Sequence, residues 1–165
     1  MFKYKKRYPR LEEALRNGAK IHVFRSGGAL RVVSVENEKN KEISYGEHPY
    51  FSEALAHAES DFGLTYKEQY SGKNAKRTHY LSGSYPQAGD VMDAYLCSGW
   101  TLDILYSKKW DAFVCISDLS EMRRERLKRD EDAIYGSSTD ILSAICVCLT
   151  NPTYKDRKSL MEDIS

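Results

Sequence analysis

Residues 11–37, LEEALRNGAKIHVFRSGGALRVVSVEN, and residues 92–118, MDAYLCSGWTLDILYSKKWDAFVCISD, carry one pattern at an offset of 81. Only Leu15/Leu96, Gly18/Gly99, Ser26/Ser107 and Val33/Val114 are identities among the aligned landmarks, yet the order of features agrees. An amphipathic stretch ends at a glycine, an apolar strand follows, a polar turn intervenes, and a second apolar strand returns. Gly18 and Gly99 stand where a helix C-terminus wants a left-handed residue, which glycine adopts at least cost. Ile21 and Val23, then Val33 and Val35, alternate with polar neighbours, as do Leu102 and Ile104, then Val114 and Ile116. That period of two marks half-buried strands. Ser26-Gly27-Gly28 and Ser107-Lys108-Lys109 are read as the hairpin turns.

The match resumes downstream. Residues 43–46 (ISYG) and 133–136 (AIYG) each close a short strand on Tyr-Gly, and residues 47–58 and 137–148 each open a helix. Phe51, Leu55, Ala58 and Phe62 fall on one helical stripe. Pro49 is expected at the first helical position, with His48 as the cap and Ser138 in its place in the second segment. Each segment thus reads α-β-β-β-α. The expected fold class is α+β: two diverged units of that order, their antiparallel sheet or sheets covered by helices on one face.

The expected organisation has four parts. Residues 1–62 form the first unit behind a basic N-terminal tail, and 63–89 a linker rich in Tyr and basic residues. Residues 90–150 form the second unit, with a charged helical insertion at 118–132 capped by Asp118 and Glu121. Residues 151–165 are a polar tail.

The α-β-β-β-α order resembles the topology of double-stranded-RNA-binding domains. The passage ISYGEHPYFSEALAHAESDF, residues 43–62, is similar to the last strand and helix of HicB-type antitoxins. The first resemblance implies a nucleic-acid reader and the second an inhibitory partner protein. Glu47-His48-Pro49 departs from the former, since an acid stands where such readers place a basic residue.

Bulk properties narrow the function. Among 165 residues, 25 basic side chains face 24 acidic ones, so no global field favours nucleic acid or an anionic membrane. No apolar run reaches the length of a membrane span, and a cytoplasmic location is expected. Cys97, Cys115, Cys146 and Cys148 lack zinc-ligand or disulfide-framework spacing and read as buried thiols. No cofactor and no metal are expected: Glu53 and His57 share a helical face, but a third ligand is missing nearby. A P-loop and the G-x-S-x-G pattern are absent.

Positions that are polar in one segment and not in the other are freer to form a site. Arg25, Arg31, Glu47 and His48 meet that criterion against Tyr106, Ala112, Ser137 and Ser138. Arg77, His79 and Tyr80 add a basic stretch interleaved with aromatic rings, a composition suited to single strands. Together these seven residues are the expected contact surface. Two further basic clusters occur at Lys3, Lys5, Lys6, Arg7, Arg10 and at Arg123, Arg124, Arg126, Lys128, Arg129. The acids around the second nearly cancel it in sequence. The first functional expectation is a binding module for an anionic ligand, nucleic acid or nucleotide. The alternatives are a protein-interaction or homodimeric module of the antitoxin or anti-defence kind, and an enzyme using Glu47, His48 and His79 in acid–base chemistry.

Overall fold

In the computed structural model, residues 8–26, 30–70 and 100–165 are described. Their strands form one antiparallel sheet of seven, in the order β3-β2-β1-β4-β5-β6-β7. The strands are β1 (Lys20–Arg25), β2 (Arg31–Glu36), β3 (Glu42–His48), β4 (Leu102–Ser107), β5 (Ala112–Asp118), β6 (Ala133–Ser138) and β7 (Thr153–Lys155). The described helices are α1 (Pro9–Arg16), α2 (Phe51–Ser60), α3 (Tyr66–Tyr70), α4 (Glu121–Leu127), α5 (Ile141–Thr150) and α6 (Arg157–Ile164).

The expected α+β class with an antiparallel sheet is what the chain adopts. In chain order β1, β2, β3 and α2 are followed later by β4, β5, α4, β6 and α5, and β1 pairs with β4 in the middle of the sheet. Residues 92–99, where the second unit's first helix was expected, lie outside the described residues.

Gly46 and Gly136 explain why both segments carry Tyr-Gly. Gly46 pairs with Val33 across β2, and Gly136 pairs with Cys115 across β5. A Cβ on Gly46 would lie 2.2 Å from the Ala54 carbonyl oxygen and 2.7 Å from the Ala58 nitrogen. One on Gly136 would lie 2.2 Å from the Cys148 nitrogen. The missing side chain therefore lets each helix lie directly on its strand. Gly18 has φ +100°, as a left-handed stop to α1 requires.

The register corrects the alignment by one residue. Ser26 donates its N–H to the carbonyl of Leu30, four residues on, whereas Ser107 pairs with Ala112, five residues on. That extra residue puts Cys115, and not Val114, in the place of Val33. A one-residue slip turns every side chain to the other face. Ile21, Val23, Val33, Val35, Leu102, Ile104, Phe113 and Cys115 accordingly pack beneath α1, α2 and α5. Val114 and Ile116 face the opposite side with Leu105 and Ala133.

Residues 151–165, expected as a polar tail, supply β7 and α6. Leu160 and Ile164 of α6 cover Leu105, Val114 and Ile116, so this helix lies on the face opposite α1, α2 and α5 and not, as expected, on one face with them. Three apolar positions in eight residues are too few to announce a helix; β6 offers an edge to β7, and β4 and β5 offer α6 an apolar surface. In α2, Phe51, Leu55 and Ala58 are buried as expected, along with Ala54, while Phe62 falls past the helix end. Full burial of Phe51 and Leu55 contributes roughly 1.5–3 kcal/mol each.

A candidate ligand groove under an arginine-bearing helix

The expected site residues of the first segment divide between two faces. Arg25 pairs with Arg31 and Arg31 with His48, so these three form one row across β1, β2 and β3. Glu47 is on the other face, where its carboxylate accepts the Tyr45 hydroxyl at 3.0 Å. Adjacent strand residues point apart. Glu47 and His48 therefore do not form an acid–base pair.

The row itself is closed. Arg31 is 6% exposed and His48 4%, while Arg25 stands in solvent. His48 is the last residue of β3, not a helix cap. Its Nδ1 accepts the Tyr50 backbone N–H at 3.0 Å, and Tyr50 holds the cap position of α2. Burial first, and the His57 ring 5.5 Å away second, lower the His48 pKa from its ordinary value. A neutral imidazole committed in this way shapes the entry to α2. Arg77, His79 and Tyr80 lie outside the described residues.

A second polar cluster, absent from the sequence expectations, crosses the middle of the opposite face. His22 and Asp103 are paired at the β1–β4 seam, with Nδ1 and Oδ1 2.6 Å apart. Asp103 also accepts from Arg157 Nη2 at 2.6 Å, and Arg157 Nη1 donates to Asp118 at 2.8 Å. His22 Nε2 lies 3.3 Å from Glu36. Asp118, expected to cap the insertion helix, thus secures α6; Ser120 caps α4 by accepting from the Arg123 N–H at 3.3 Å. A contrast between the two segments does not mark the cluster, because its central members, 81 residues apart, are polar in both. It joins the sheet halves and anchors α6. Among the described residues, no group of three His, Cys, Asp or Glu is arranged to hold a metal.

The concavity with convergent chemistry lies elsewhere, between α4, the end of α5 and β7. It encloses 340 Å³. Leu119, Ile134 and Leu149 give it an apolar lining, Trp100 and Tyr154 supply rings, and Arg123 and Arg126 supply charge. The Arg123 guanidinium lies over the Trp100 ring, and that of Arg129 lies 4.2 Å from the Tyr154 ring centre.

Helix α4 sorts its charges by face. Arg123, Arg126 and Leu127 are spaced three and four apart and border the groove. Glu121, Arg124 and Glu125, with Lys128, Arg129 and Asp130 just beyond the helix, border a separate, shallow polar concavity. Of the acids near the basic cluster, Glu121, Glu125 and Asp130 border that second concavity, and no acid lines the groove among the described residues. Periodicity would have found this partition had it been applied to charges as well as to apolar residues.

The first segment has a concavity at the corresponding place. Ala19, Asn37 and Phe62 stand there where Trp100, Leu119 and Pro152 stand in the second. Its volume is 510 Å³, and its charged lining is Arg10, Glu13 and Glu38. The β2–β3 turn is short there, whereas the β5–β6 connection has grown into α4. The insertion furnishes one of the two concavities with arginines, while its rings, Trp100 and Tyr154, come from the residues before β4 and from β7.

Two other expectations meet structural facts here. Cys115 and Cys148 are buried, but Cys146 is exposed on α5, contrary to the expectation for all four thiols. Burial, followed by the Cys148 thiol, pushes the Cys115 pKa well up. The outer edge of β3 is covered: Gln69 Nε2 donates to the Tyr45 carbonyl at 2.8 Å, and His57 Nδ1 lies 3.2 Å from the Glu47 carbonyl. That edge is protected against a further strand. Among the described residues, no helix is long and apolar enough to cross a membrane.

Comparisons with protein-family profiles, curated proteins and solved structures return no match.

Proposed function

We propose that the chain is a binding module for an anionic ligand of the nucleotide or nucleic-acid class, taken up in the groove beneath α4. The observation that carries this reading is the one-sided lining, with Arg123 and Arg126 beside Trp100 and Tyr154 and no carboxylate among the described lining residues. A guanidinium offers a planar fork to phosphate, and a ring offers its face to a base. The volume of 340 Å³ lies at the small end of ligand pockets and accommodates part of such a molecule rather than all of it.

The reading moves the contact surface from Arg25, Arg31 and His48 to the second segment. It keeps the principle that led there, since the groove is built where the two segments differ. Reversing both charges, Arg123→Glu with Arg126→Glu, tests it by anisotropy of a labelled oligonucleotide at low ionic strength. Binding by the parent chain that is lost in the double variant, with an unchanged circular dichroism spectrum, supports the reading. Equal binding by both proteins, or by neither, ends it.

A further inference from the structure

The groove has two ring platforms rather than one, and this bears on the kind of nucleic acid it takes. Trp100 precedes β4 and Tyr154 lies in β7, so the rings reach one concavity from chain positions 54 residues apart. Each ring has a guanidinium over it, Arg123 on Trp100 and Arg129 on Tyr154. We infer that the ligand is a single strand, with two unpaired bases stacked at Trp100 and Tyr154 and the intervening phosphates held by Arg123 and Arg126. This rests on the groove reading above and narrows it.

Three features argue for the single strand. A ring face stacks on a base only when that base is unpaired and splayed outward; in a duplex the base faces are already occupied by neighbours. The concavity on the outer side of α4 balances Glu121, Glu125 and Asp130 against Arg124, Lys128 and Arg129, so it offers the phosphates of a duplex no net positive face. And α4 has seven residues, about 10 Å of helix, too short to read a major groove along its length.

The energetics are consistent with exchange rather than simple addition. A base that takes a ring face displaces a guanidinium from a half-exposed cation–π contact. The displaced guanidinium turns to the neighbouring phosphate, where the charge-assisted bond is stronger. Stacking and phosphate contact are then gained together. Arg126, which stacks on no ring among the described contacts, serves the backbone alone.

The test uses the full chain in a Trp110→Phe background, so that Trp100 is the single tryptophan reporter. Four probes are titrated: oligothymidylate, thymidine monophosphate, a hairpin duplex, and polyglutamate. The inference expects oligothymidylate to quench Trp100 and to bind at least about ten-fold more tightly than the other three. Tyr154→Leu weakens it about ten-fold with no change in salt dependence. Arg123→Gln with Arg126→Gln instead lowers the slope of log K against log salt by about 1.4, since each phosphate neutralised on a single strand contributes about 0.7. If the mononucleotide or the duplex binds as tightly as the strand, the single-strand inference falls and the groove reading stands. If polyglutamate alone binds, or no probe does, both fall.

Discussion

Substituting alanine for Gly46 or Gly136 should cost more than the same change at Gly18 or Gly63, where no atom lies closer than 3.6 Å to the new Cβ. The structure sets the magnitude. The new Cβ of Gly46→Ala would sit 2.2 Å from one backbone atom of α2 and 2.7 Å from another. Gly136→Ala would place its Cβ 2.2 Å and 2.7 Å from α5 backbone atoms. Ordinary contact is more than 1 Å longer than the shorter figure, and helix backbone cannot rotate aside as a side chain does. The helix must lift along its length, loosening Ala54, Leu55 and Ala58 in the first case and Ala144, Ile145 and Cys148 in the second. Overpacking of a close-packed core costs typically 1–3 kcal/mol, and rigid backbone places these sites at the top of that range, about 3 kcal/mol. With a urea dependence of about 2 kcal/mol/M, each midpoint moves down by about 1.5 M. Equilibrium urea unfolding followed by circular dichroism measures this. A loss under about 1 kcal/mol at either glycine would falsify the claim that these residues seat the helices. Because the two sites lie in different segments, their costs should add in the double variant.

Two further predictions concern the polar clusters. The depressed His48 pKa means that the unfolded chain binds a proton before the folded one does. Stability should therefore be complete above pH about 6.5 and decline as pH falls below it, and His48→Gln should flatten that slope in urea unfolding between pH 5 and 7.5. An unchanged slope in the variant contradicts the assignment. Arg157→Ala should remove both bridges to Asp103 and Asp118; Arg157 is 34% exposed, so the loss is about 1 kcal/mol and shrinks in high salt. Hydrogen exchange of the Leu160 and Ile164 amides should speed up before that of α2 amides, and uniform acceleration across the chain would show that the clamp is not local to α6.

Much of the fold was legible because its signals are local. Ile21, Val23, Val33 and Val35 alternate, the stripe of α2 repeats at helical spacing, and Gly18 stops α1 where expected. The second hairpin was legible as strands but misread in register. Its turn is one residue longer, and nothing in Ser107-Lys108-Lys109 fixes a turn length, although Asp111 at φ +50° marks where the extra residue is accommodated. The tail was illegible because α6 is stabilised by surface it borrows from β4 and β5.

The site was harder for a related reason. Arg25, Arg31 and His48 do form a row, as their strand positions imply, but sequence carries no record that two of the three are covered. Trp100 and Tyr154 have no sequence relation that would pair them. The sorting of charge around α4 was present in the spacing of Arg123 and Arg126, and was hidden by counting acids and bases along the chain instead of around the helix.

The most direct measurement is an amide and indole chemical-shift map of the isotope-labelled chain, recorded while oligothymidylate is added at low salt. Perturbations should gather at the Trp100 indole, at residues 120–129 and at residues 150–154. Shifts gathered instead at Arg25, Arg31 and His48, or around His22 and Asp103, or a spectrum that does not change, would contradict the placement of the ligand beneath α4.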